Sequence, residues 1–149
     1  MSLNAKIKKI VTPGAATVAL TADMSGSTIL FDTAVEAVTL PEITPLTVGM
    51  WFEFVTTVAS STAQTVTAGA AADLYTGAIL LVDDTAAYTA PQAVTHKPDV
   101  SNDIILTMNG TTSGGKIGTK IKFTAISATR WFVEGTLLGS GNLGTTVFS

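Results

Sequence analysis

Polar and apolar residues alternate along most of this chain, in short runs broken by glycine, proline and aspartate. Alternation with a period of two places successive side chains on opposite faces of a strand. The longest such run is 117–125. Ile117, Thr119, Ile121, Phe123 and Ala125 form one face, and Lys120 and Lys122 form the other. Lysines along one face mark a wet or edge-protecting surface. Ser127-Ala128-Thr129 then leads into 130–134, where Trp131 and Val133 are in phase on the expected core side. Together the two runs predict a hairpin.

Residues 50–58 form a second strong strand. Phe52 and Phe54 share one face, and Trp51, Glu53 and Val55 the other. Bulk on both faces suits a central strand or one at an oligomer interface. Trp51, Phe52 and Phe54 are therefore the expected subunit contacts, joined by Phe148, a near-terminal aromatic expected to dock into a groove on its own or a neighbouring subunit. Shorter strands are predicted at 28–31, 35–40, 64–68, 77–82, 103–108 and 136–138, with Val38 and Leu40 on one face of the second. Residues 15–22 read as a short strand. The alanines at 70–72, bracketed by Gly69 and Gly77, predict a single helical turn or a loop. Residues 85–102, with Tyr88, His96 and two prolines, read as a long excursion holding one short strand.

Residues 1–14 read as an arm ending at the Pro13-Gly14 breaker, and 15–149 as one domain. Many short strands between turn residues predict an all-β fold: a single-domain antiparallel β-sandwich or β-barrel, jelly-roll-like, with an extended N-terminal arm.

Composition narrows the function. Charged residues make up 13% of the 149, against about 25% in a typical domain. A surface of small neutral groups is easy to bury against another protein, because few charges need desolvation. That fits a robust β-domain or a subunit of an assembly. The net charge of −3 gives no basic nucleic-acid surface, and the one dense basic run is Lys6, Lys8 and Lys9. With no cysteine, disulfides, iron–sulfur clusters and thiolate zinc sites are excluded. No run approaches the roughly 20 apolar residues of a membrane-spanning helix. The first residues lack the pattern of a signal peptide, so synthesis in a cytoplasm without export is expected.

Candidate chemistry is sparse. His96 is the single histidine, and although Asp99 or Asp103 could face it, there is no nucleophile elbow. Asp83 and Asp84, with Asp99 or Asp103, lack the spacing of a calcium loop. The glycine-rich run 110–116 ends in Lys116 as a phosphate loop would. No Ser or Thr follows it, and the next segment is a strand rather than a helix. Trp51, Trp131, Tyr75 and Tyr88 would make a sugar platform only if exposed. No catalytic residue, metal site or cofactor is expected.

The order of four motifs carries a resemblance. Val38-Thr39-Leu40-Pro41 comes first, then Gly49-Met50-Trp51-Phe52-Glu53-Phe54-Val55 and Gly114-Gly115-Lys116-Ile117-Gly118-Thr119-Lys120-Ile121. Arg130-Trp131-Phe132-Val133-Glu134-Gly135 follows, before a glycine-rich end. Over about residues 28–146 the chain resembles small β-rich structural proteins of tailed bacteriophages, most of all head-decoration or cement proteins. The resemblance implies a non-enzymatic virion protein made in the host bacterial cytoplasm. It would bind the outer capsid surface, bridge major capsid protein subunits, and assemble as a homo-oligomer, a trimer in many such proteins. No nucleic acid or membrane partner is implied. Lys6, Lys8, Lys9 and Ile10 of the arm would contact the capsid. A tail or neck component, or a receptor- or glycan-binding tail module, is the alternative.

Overall fold

The computed structural model describes residues 9–14, 16–84, 93–143 and 146–149. Among these the regular structure is β, apart from one 3-10 turn at Ala22–Met24. The fold is all-β and consists of two sheets.

The first six strands are β1 (Ile10–Val11), β2 (Thr17–Ala19), β3 (Ser27–Phe31), β4 (Glu36–Thr39), β5 (Trp51–Thr56) and β6 (Gln64–Thr67). They are followed by β7 (Leu74–Asp83), β8 (Ala93–His96), β9 (Ile105–Met108), β10 (Lys120–Ser127) and β11 (Arg130–Gly139). The large sheet has the order β1-β3-β5-β10-β11-β7-β8, and the small one β2-β4-β6-β9.

Odd and even strands separate cleanly over the first half of the chain. Each connection from β1 to β6 carries the chain from one sheet to the other instead of returning it alongside. A parallel pair needs a crossover, and here the crossover is the intervening strand of the opposite sheet. β1–β3, β3–β5, β2–β4 and β4–β6 are accordingly all parallel. The expected antiparallel arrangement is corrected here. Five of the nine pairings of described strands are parallel, the fifth being β7 with β11. Alternation and a short linker look the same whether the chain reverses beside itself or turns a corner into the facing sheet.

The predicted hairpin is present. β10 and β11 pair antiparallel, with Phe123 opposite Val133. Two details differ. Ile117 and Gly118 lie in a turn, and Ile117 is exposed, so the strand begins at Lys120. The runs 130–134 and 136–138 are one strand, because Gly135 continues it with φ of +148°. A Cβ there would lie 2.3 Å from the Lys120 carbonyl oxygen, so only glycine keeps the strand continuous at this approach.

Inward-facing residues of both sheets form one core. In β5, Phe52, Phe54 and Thr56 are buried while Trp51, Glu53 and Val55 are half-buried on the outer side. Phe54 stacks on Phe31 and meets Phe123 edge-on, both at 5.6 Å between centroids. Tyr75 lies 5.2 Å from Phe123, and Trp131 lies 6.2 Å from Phe52. Such contacts contribute beyond simple area burial. Phe148 is buried against Tyr75 and bridges to Leu106 of β9. Residues 147–149 hydrogen-bond along β9 through Thr107 N–H to Val147 O and Ile105 N–H to Ser149 O. The chain end thereby covers that edge of the small sheet.

Candidate functional site

Among the described residues, nothing pairs beyond the opposite edges. β1 is the outermost strand of the large sheet and β2 of the small one. Only residues 12–16 separate them in the chain, so the two edges lie side by side. In a strand, successive peptides point alternately to the two sides. Ala16 O accepts from Ala37 N–H, and Leu20 N–H donates to Thr39 O, which directs these even positions at β4. Thr17 and Ala19 therefore aim their N–H and C=O groups away from the sheet. On β1, Lys9 O accepts from Thr28 N–H, which leaves the peptide groups of Ile10 directed outward. The Ile10 side chain is 65% exposed. Peptide groups in a row without a partner among the described residues are a template for another strand.

Ile10 and Val11, assigned to the arm in the sequence reading, pair with Thr28 and Ile29. Lys9 is exposed beside them. Lys6 and Lys8 lie outside the described residues. Of the expected subunit contacts, Trp51 stands on the outer face of the large sheet. Phe52, Phe54 and Phe148 are corrected: their exposures of 0%, 0% and 4% within one chain leave no area for a partner. The bulk on both faces of β5 was legible, but not which face the chain itself would cover.

The outer face of the large sheet carries an ordered polar patch. Glu53, Lys122 and Glu134 sit in register on β5, β10 and β11. Lys120 Nζ lies 3.1 Å from Glu53 Oε2, and Thr28 Oγ1 donates to Glu53 Oε1 at 3.3 Å. Lys122 Nζ stands 5.1 Å from the ring centroid of Trp51, within cation–π range. Glu53, Lys120, Lys122, Glu134, Gly135 and Thr136 line an open depression of about 290 Å³. The patch offers paired charges, without a histidine or a hydroxyl–imidazole couple to move a proton.

The other candidate residues are tied into structural bonds. His96 Nε2 lies 3.0 Å from the carbonyl oxygen of Leu143. Asp99 accepts from the backbone and hydroxyl of Ser101, which hold its carboxyl below the usual range. Asp103 accepts from the Asp99 N–H at 2.6 Å, and Asp84 is ion-paired with Lys116. Among the described residues no three His, Asp or Glu side chains gather as metal ligands. Tyr75 and Trp131 are buried, so neither offers a face to a sugar, and Tyr88 lies outside the described residues.

The 110–116 loop spends its donors on itself. Asn109 Oδ1 accepts from Thr111 N–H at 2.9 Å and Ser113 N–H at 3.0 Å. Gly110 N–H donates to Gly114 O, and Gly114 N–H to Thr111 O. Those amides are not turned toward an anion.

One polar pair escaped the sequence reading. Glu36 and Gln64 are both completely buried, at matching positions of β4 and β6. The signal was present: each sits in phase with the core valine two residues on, Val38 or Val66. Comparison with protein-family models, curated proteins and solved structures finds no match for the chain.

Proposed function

We propose that this chain is a non-enzymatic structural protein of a virion, binding the outer capsid surface and bridging capsid subunits. One observation carries the reading: among the described residues β1 and β2 are the outermost strands of the two sheets, close together in the chain where the N-terminal segment enters the fold. A strand of the capsid protein would add to that edge through backbone hydrogen bonds, the mode of β-augmentation. Lys9 and Ile10 stand there to contact it, with Lys6 and Lys8 in the preceding segment. Many copies on one shell would act together, each weak joint adding to the rest. The sparse charge and the absence of a reaction centre among the described residues support the same reading.

The finer architecture belongs to this proposal. The two sheets are read as layers of a β-sandwich, supported by their common core and by a Tyr75–Val66 hydrogen bond from one sheet to the other. A homotrimer is the proposed assembly, with Trp51 at the contact. The location is the virion surface, after synthesis in the bacterial host. A tail or neck position uses the same edge on a different partner.

The test is co-sedimentation with heads of the parent phage. Wild-type protein should pellet with them. Ala19→Pro removes an outward N–H at an edge where proline is tolerated, and should abolish pelleting with the melting temperature unchanged. If the wild-type protein stays in the supernatant at saturating head concentration, the capsid role is lost. If it pellets and Ala19→Pro pellets equally, the edge is not the contact.

A further inference from the structure

The corner where β3 runs into β4 and β5 into β6 contains a polar knot that the capsid role does not use. Glu36 Oε2 accepts from the N–H groups of Asp32 and Thr33, and the Thr33 hydroxyl, 3.3 Å from it, is shared with the Val35 carbonyl oxygen at 2.9 Å. Gln64 Nε2 donates to Thr33 O and to Val58 O, each at 2.8 Å. Those two bonds use both amide hydrogens and fix which side of the amide is oxygen. Between them the two side chains hold both crossovers.

Each is left with one unanswered atom. Glu36 Oε1 and Gln64 Oε1 are buried and lack a hydrogen-bond partner. The strands are neighbours in the small sheet, Glu36 is opposite Gln64 in the register, and both side chains face inward. Strands in a sheet stand about 4.8 Å apart, so the two carboxyl and amide ends share one region. A buried acceptor without a donor costs roughly 1–3 kcal/mol. Two such acceptors side by side are an arrangement that a single hydrogen would repair.

We infer that, when Glu36 binds a proton in the folded protein, its Oε1–H donates to Gln64 Oε1, making the pair a pH-sensitive clasp on the two crossovers. Proton uptake leaves Glu36 neutral, answers both orphan atoms and keeps the acceptor bonds at Oε2. Burial pushes the carboxyl above its ordinary range, against the pull of the Thr33 and Asp32 amides. Asp32, on the same turn, acts with a like charge and also disfavours ionisation. Ala16 and Gln64, on either side of β4, do not titrate, and Thr56 Oγ1 of the large sheet is a further buried atom without a hydrogen-bond partner, so Thr56→Val should leave the pH-dependent gap in place.

The sign follows from the direction. A carboxyl whose folded pKa is raised adds stability that is complete below its unfolded value and lost as pH rises through the folded value. The clasp therefore holds in mild acid and loosens toward alkaline pH. Glu36→Gln replaces the proton by a permanent amide donor of the same shape. Its melting temperature should match wild type near about pH 4 and exceed it near about pH 8. The gap should be about 3–5 °C for each unit by which the carboxyl is raised. Infrared spectra of the wild type should show a protonated-carboxyl band that persists above the usual carboxylate range and is absent in Glu36→Gln. Parallel melting curves at both pH values, or a Glu36 side-chain carbon that titrates like an exposed glutamate, would overturn the inference. So would a stabilisation by added Na⁺ or Ca²⁺ that Glu36→Gln removes, because a cation would then sit between the oxygens.

Discussion

The hydroxyl of Tyr75 on β7 donates to the carbonyl of Val66 on β6 at 3.0 Å, joining the large sheet to the small one through a single side chain. The ring is fully buried against Phe123 and Phe148, so the bond sits in a dry environment. Tyr75→Phe keeps the ring and removes the donor. It should lower stability by about 1–2 kcal/mol, read as a shift of the urea midpoint at unchanged slope. No shift would mean that the bond adds nothing to holding the sheets together. Burial pushes the phenol well above its ordinary value. Stability from this group is complete below the unfolded pKa of about 10 and is lost as pH rises beyond it. Wild type should therefore weaken in strong alkali more than Tyr75→Phe does.

Gly77 tests the parallel pairing of β7 with β11. It lies opposite Val133 with φ of +112°, and an added Cβ would stand 2.3 Å from the Val133 carbonyl oxygen. Neither strand can move without disturbing the rest of a ladder that runs from Leu74 to Asp83. Gly77→Ala should cost about 2–4 kcal/mol, through backbone strain and lost ladder bonds. A melting temperature within one degree or so of wild type would contradict this register.

Asn109 should prove structural rather than anion-binding. Its Oδ1 gathers two backbone amides and the Thr111 hydroxyl, and its Nδ2 donates to Thr112 Oγ1. Asn109→Ala leaves the loop amides without their acceptor, at a cost of about 1–3 kcal/mol. Inorganic phosphate should cause no shift in the amide resonances of 110–116. Saturable phosphate shifts there would restore the phosphate-loop reading.

How far the sequence could be read depended on which physical signal each residue carried. Phe52, Phe54, Trp131 and Val133 announced their faces through the two-residue period, and burial follows that period in β5, β10 and β11. The direction of strand pairing left no such mark. The connection 32–35 between β3 and β4 is as short as a hairpin loop would be, yet it leads into the other sheet. Nothing in alternation distinguishes the two routes. The alanines before Leu74-Tyr75-Thr76 predict a helical turn or a loop there, whereas pairing with β11 extends β7 back to Leu74. The open edge at β2 was illegible for a similar reason: Thr17-Val18-Ala19 reads as any short strand until its neighbours are known. Glu36 and Gln64 were legible in principle, as polar residues in phase with Val38 and Val66.

Phe54 and Trp51 should separate folding from assembly, because they occupy opposite faces of the same strand. Phe54 is fully buried between Phe31 and Phe123. Phe54→Asp places an unpaired carboxylate among aromatic rings, which costs several kcal/mol and rivals the total stability of a domain. It should give a chain without amide dispersion or a cooperative melt, rather than a folded monomer. Trp51 is half-buried on the outer face, where Lys122 lies over its ring. Trp51→Ala removes exposed aromatic area and a contact of about 0.5–1 kcal/mol, so the isolated fold should survive with a small loss of stability. If the proposed trimer forms through this face, sedimentation velocity should show Trp51→Ala shifted toward monomer at concentrations where wild type is assembled. An unchanged assembled mass would exclude Trp51 from the contact, and a folded Phe54→Asp would overturn the placement of β5 in the core.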